Sequence, residues 1–109
     1  MSAPVARRGE VWFAEVPGDK RRPVLILTRD PMGRLLHSVI CAPITTTVRG
    51  LATEVQVEEA GLVSRSVANF DNTLLLARTR LVRRLGRASD QTMHAACKAL
   101  VTAAGCDAA

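Results

Sequence analysis

Short apolar or alternating runs follow one another, each closed within a few residues by a turn signal, and a single helical pattern ends the chain. That order constrains the fold more than any other feature. Residues 9–16 are rich in β-formers and stop at Pro17-Gly18-Asp19. Residues 23–28 form an apolar run closed by Asp30-Pro31-Met32-Gly33, and residues 35–44 form a third. Val48-Arg49-Gly50 turns the chain, and residues 53–58 alternate with period two, so one face is buried and one wet. Ala60-Gly61 breaks that run. Residues 66–70 alternate weakly into Asp71-Asn72, and residues 73–76 are apolar again. The basic stretch 77–87 has room for a short helical turn and a last short strand.

The terminal helix is the clearest element. Ser89 is a good N-cap, Asp90 suits the positive end of the helix, and Gly105 fits the position just past its C-terminus. Met93, Ala96, Cys97, Leu100, Val101 and Ala104 follow the i, i+3, i+4, i+7, i+8, i+11 series, one stripe rich in small residues that can lie close against a sheet. Five or six short strands and then one helix predict a small antiparallel α+β domain built as a partly closed barrel.

At 109 residues the chain is expected to be one domain over 1–109, with 1–7 loose at its start. No apolar run approaches the roughly 18 residues of a membrane span. The first eight residues carry charge with no apolar stretch after them, so no secretory signal is expected. Cys41, Cys97 and Cys106 show no CxxC spacing, and the first two read as buried small hydrophobes. With His37 and His94 far apart, no zinc site is expected, and the cytoplasm is the natural compartment. The net charge is +5, and of fifteen basic residues only Lys20 and Lys98 are lysines. Arginine offers fork geometry to phosphate, which favours nucleic acid; a GC-rich genome writes the same composition. Aromatic content of 3% argues against an open stacking platform for bases.

Two motifs carry chemistry. Arg21-Arg22-Pro23 stands at the entrance of an apolar strand, and Thr45-Thr46-Thr47 ends another, followed by Arg49. Arginines and hydroxyls on neighbouring strand ends make a phosphodiester site that needs no metal. Each motif alone also reads as a solvated strand start or an ordinary β-rich threonine run.

Arg8-Gly9-Glu10-Val11-Trp12, Arg22-Pro23-Val24-Leu25-Ile26-Leu27, Ala42-Pro43-Ile44-Thr45-Thr46 and Asp71, in this order and spacing, resemble the MazF/PemK (Kid) family of toxin endoribonucleases. The resemblance covers nearly the whole chain. It implies a small SH3-like, partly closed antiparallel β-barrel with a C-terminal helix, of the CcdB/MazF kind, acting as a homodimer. It also implies cleavage of single-stranded RNA at short motifs without a metal or other cofactor, and neutralisation by a cognate antitoxin. The family's catalytic arginine falls on Arg22, its catalytic hydroxyl on Thr45 with Thr46 beside it, and the carboxylate some members use as base on Asp71. Lys20, Arg21, Thr46, Arg49, Asn69 and Asn72 are expected to contact RNA. Asn69 stands where some members carry a second arginine, and the first inter-strand loop, 17–21, is shorter than in many members.

The residues sustain that chemistry on their own terms. Arg22 can donate two parallel hydrogen bonds to a pentavalent phosphorane, Thr45 one more, and Asp71 is the best candidate base once partly buried. Asp71-Asn72 also reads as a plain turn pair. His37 and His94 are expected at the surface. Arg83, Arg84 and Arg87 read as a solvated face or as the landing site of an acidic antitoxin tail. Three other functions compete. A CcdB-like poison of DNA gyrase has the same fold but leaves Arg22 and Thr45 idle. An inactive antitoxin-binding relative is the second, and a peptide-binding module short of aromatic residues is the third.

Overall fold

The computed structural model describes residues 3–58, 62 and 65–107; the break expected at Ala60-Gly61 lies outside them. The strands are β1 (Glu10–Glu15), β2 (Arg21–Ile26), β3 (Ser38–Thr45), β4 (Glu54–Gln56), β5 (Val67–Asn69), β6 (Leu74–Ala77) and β7 (Leu81–Arg87). Helix α1 (Asp90–Ala104) follows, and 3-10 turns occupy Met32–Arg34, Phe70–Asn72 and Arg78–Arg80. Every strand pair is antiparallel, in the order β4-β5-β3-β2-β1-β7, with β6 added to the first half of β3. The sheet does not close on itself, which is the partly closed barrel expected. Among the described residues there are seven strands where five or six were expected, and the last short strand expected in the basic stretch 77–87 is seven residues long.

From Pro23 to Ile26 strand β2 is apolar, because both of its faces are covered from Val24 onward. Alternation sends Val24 and Ile26 into one core, with Ala14, Val39, Cys41, Leu76 and Leu81, and Leu25 into another. That second core, with Val11, Ala42, Ile44, Val55, Ala68 and Phe70, is roofed by Met93, Ala96 and Ala99 of α1. Each fully buried Val, Leu or Ile contributes about 1.5–3 kcal/mol. Burial in the first core pushes the Cys41 thiol up to about 12, so it remains an un-ionised small hydrophobe.

The caps of α1 form as expected: the Ser89 side chain accepts from Thr92 N–H, and Gly105, at φ +73°, closes the helix in the left-handed region. Its stripe is rotated from the expected one. Met93, Ala96 and Ala99 are buried, with Leu100 and Ala103 half-buried beside them, whereas Cys97, Val101 and Ala104 are exposed. The reading of Cys97 as buried is thereby corrected; its Sγ lies at the surface, 3.2 Å from Arg8 Nη2.

Two boundaries also move. β2 begins at Arg21, so Arg22 lies inside the strand rather than before it, and Pro23 within it rather than at its start. The third run becomes a strand only from Ser38, leaving Leu35 and Leu36 exposed after the 3-10 turn. Within the stretch 1–7, expected to be loose, residues from Pro4 onward make contacts with the rest of the fold. Ala6 is buried and donates its N–H to Gly33 O at 3.2 Å, and Pro4 O accepts from Arg78 Nη1 at 2.8 Å. The Arg8-Gly9-Glu10-Val11-Trp12 motif has a structural centre. The buried Glu10 accepts from Arg7 N–H at 2.8 Å and Trp12 Nε1 at 3.1 Å, and pairs with Arg84 Nε at 2.8 Å.

Candidate active site

Successive strand residues face opposite ways, so only one arginine of a pair can enter a given cleft. On β2 that residue is Arg22. Arg21 points elsewhere and pairs with its cross-strand neighbour Glu15 at 3.1 Å. Between β2 and β3 the register runs Ile26 to Cys41, Leu25 to Ala42 and Val24 to Pro43. Extended two residues further, it sets Thr45 opposite Arg22 on the same face. The two functional motifs therefore meet across one pair of strands.

They meet in an open cleft of about 430 Å³ lined by Val16, Pro17, Asp19, Arg22, Pro43, Thr45, Thr47, Arg49, Asn69, Asn72 and Leu74. Thr45 Oγ1 accepts from Thr47 N–H at 3.1 Å, which leaves the hydroxyl proton available to a ligand. The Arg22 side chain is 22% exposed, and its Nε lies 2.8 Å from Asp19 Oδ2 in an ion pair too poorly aligned to satisfy the buried N–H. Its Nη1 and Nη2 have no partner among the described residues, so the fork is open to an anion. Asp19 also accepts from Lys20 N–H at 2.7 Å. That hydrogen bond first, and Arg22 second, hold its carboxyl below the usual carboxylate range.

Of the residues expected from the sequence, Arg22, Thr45, Arg49, Asn69 and Asn72 come together in this cleft. Lys20 and Arg21 do not line it, and Thr46 faces a neighbouring groove with Pro23, Ile44, Leu62 and Ser66, which Thr45 also borders. Asp71 is adjacent but turned away: its Oδ2 accepts from the buried Thr53 hydroxyl at 2.6 Å, and its N–H donates to Asn69 Oδ1 at 2.9 Å. Asp71 thus braces the 3-10 turn that Asn69 caps and Asn72 ends. His37 is exposed beside Ser38, and His94 is exposed on α1, as expected. Among the described residues no group of three or more His, Cys, Asp or Glu is placed to hold a metal ion. Sequence reasoning missed Asp19 as a cleft residue and gave Thr47, part of the hydroxyl run it singled out, no role of its own. The signal for Asp19 was present, a carboxylate three residues before the arginine in a tight turn.

Residues 7–103 match the PemK-like, MazF-like toxins of type II toxin–antitoxin systems. The chain belongs to this family. Among PemK/MazF relatives, a protein of Mycobacterium tuberculosis named "Probable endoribonuclease MazF2" is 44% identical over 102 residues, covering 92% of this chain and 99% of that one. Among solved PemK/MazF-like structures, Mycobacterium tuberculosis toxin MazF-mt6 superposes with a TM-score of 0.80 at 43% identity, over 86% of this chain and 94% of its own. A mycobacterial endoribonuclease in complex with its cognate antitoxin gives 0.81 at 29% identity, over 92% and 95%.

Proposed function

We propose that this PemK/MazF chain is an endoribonuclease toxin that cuts single-stranded RNA through the RNA's own 2′-hydroxyl, without a metal. The observation that carries the reading is the juxtaposition of Arg22 and Thr45 on opposed strands in a cleft that also holds Arg49, Asn69 and Asn72. In the reaction the 2′-oxygen gives its proton to water and bonds to the adjacent phosphorus. The P–O5′ bond breaks, and the leaving 5′-oxygen takes up a proton from water. The ends are a 2′,3′-cyclic phosphate and a 5′-hydroxyl. Negative charge grows on the non-bridging oxygens, where the free fork of Arg22 and the Thr45 hydroxyl can donate. The cleft stabilises charge better than it accepts protons, since Asp19, the carboxylate lining it, is held below the usual range. Asn69, Asn72 and Arg49 would hold the flanking nucleotides. The antitoxin complex of the mycobacterial relative supports control of this chain by a cognate antitoxin, and the family resemblance supports a homodimer.

The test is cleavage of a long unstructured RNA in excess EDTA, with fragment ends mapped. Discrete cuts with 5′-hydroxyl ends are expected, and Arg22→Ala and Thr45→Ala should each lower the rate by about 10²–10³ with the fold intact. Full activity in either variant would remove the proposed site. Intact RNA with folded wild-type protein would remove the ribonuclease reading and turn attention to gyrase.

A further inference from the structure

Arg49 reaches the cleft from the loop between β3 and β4, where no strand pairing holds it. A single carboxylate does. Glu54, the first residue of β4, folds its side chain back over the loop, and its Oε1 accepts three successive backbone N–H groups: Arg49 at 3.1 Å, Gly50 at 2.8 Å and Leu51 at 3.2 Å. Its Oε2 lies 3.2 Å from the Arg49 nitrogen as well. In return Glu54 N–H donates to Leu51 O at 3.0 Å, closing the loop from the main-chain side. Consecutive N–H groups converging on one anion form a nest, and hydrogen bonds to an ionised acceptor are about twice as strong as neutral ones. Glu54 is also the cross-strand partner of Asn69, another cleft residue. It therefore ties two walls of the cleft together without lining it.

We propose that Glu54 is a positioning residue for Arg49: it fixes the backbone from which the cleft's second cation meets the RNA phosphates. The inference rests on the reading of this cleft as the RNA site. Alanine at 54 would hand the three N–H groups to water and let Arg49 drift from the cleft. Glutamine would keep an oxygen acceptor at the same reach. The loop is exposed, so global stability depends on Glu54 far less than RNA affinity does.

The experiment uses a labelled oligoribonucleotide carrying the cut site mapped for the wild-type protein, and measures KM, kcat and thermal melting. The variants are Glu54→Ala, Glu54→Gln, Arg49→Ala and the double Glu54→Ala/Arg49→Ala. Glu54→Ala should raise KM about tenfold with kcat within about twofold, and Glu54→Gln should recover most of that loss. In the Arg49→Ala background, Glu54→Ala should add nothing, since the residue it positions is gone. Glu54→Ser serves where Glu54→Ala fails to fold. An unchanged KM, an equal loss in both backgrounds, or a glutamine variant as poor as alanine would overturn the role. A wild-type protein that cuts no RNA removes the ribonuclease reading and this role with it. One that cuts but shows no coupling removes only the role of Glu54.

Discussion

Asp71 shows how a family position and a local hydrogen bond can point to different tasks. Its place in the motif makes it a candidate base, yet its carboxylate is engaged by Thr53 Oγ1 at 2.6 Å and does not line the cleft. As a brace for the turn carrying Asn69 and Asn72, it works through shape, and an asparagine can still accept from Thr53. Asp71→Asn is therefore expected to lower kcat by no more than about threefold. Asp71→Ala, which orphans the buried hydroxyl, should cost about 1–2 kcal/mol of stability. Steady-state kinetics paired with melting curves check this: a hundredfold fall in kcat for Asp71→Asn at unchanged Tm would make it the base after all. Arg22 and Thr45 were legible from sequence because each ends or enters an apolar strand, and strand register does the rest. Asp19 left a local signal, its spacing to Arg22 in a tight turn, but Glu54 left none, because its role depends on how a loop folds back on itself, which no periodicity encodes.

Among the elements, the strands and the helix were legible where turn chemistry marked their ends, and less so where a proline or an alanine carried two meanings. Pro23 suggests a strand start, yet it lies opposite Phe13 in the middle of the β1–β2 ladder, so Arg22 became a strand residue. In α1, alanines occur all round the helix, so two overlapping stripes fit the sequence equally. Packing against the sheet selects the one through Ala99 and Ala103 over the one through Cys97 and Val101. The 3-10 turn Met32–Arg34 carries the least legible contact, the docking of the N-terminal segment. A Cβ built on Gly33 would stand 1.7 Å from the carbonyl oxygen of Ala6. Only glycine lets these two backbones approach, so Gly33→Ala must push residues 4–7 away and open the core around Ala6. The expected loss is about 3 kcal/mol, a fall in Tm of more than about 10 °C. A melting curve within a few degrees of wild type would show that the segment is not needed for the fold.

At the scale of the whole molecule, the count of fifteen basic residues overstates what faces RNA. Three of the chain's thirteen arginines are tied, outside the cleft, to carboxylates or carbonyls of the protein. Arg21 pairs with Glu15, Arg84 with Glu10, and Arg78 gives its Nε and Nη1 to the carbonyls of Leu36 and Pro4. The cleft itself presents two cations, Arg22 and Arg49. Each phosphate neutralised on a single strand contributes about −0.7 to the slope of log affinity against log salt. If the cleft is the whole footprint, the slope per protomer should be roughly −1.4, and Arg49→Ala should weaken it by roughly 0.7. Binding of a labelled single-stranded RNA to the Thr45→Ala variant, titrated over a range of salt, measures this without cleavage. A slope steeper than about −3 would mean that surface arginines such as Arg83 and Arg87 share the RNA, and that the binding path runs well beyond the cleft. A shallow slope that Arg49→Ala flattens further would confine recognition to the residues that Arg22, Thr45 and the Glu54-held loop bring together.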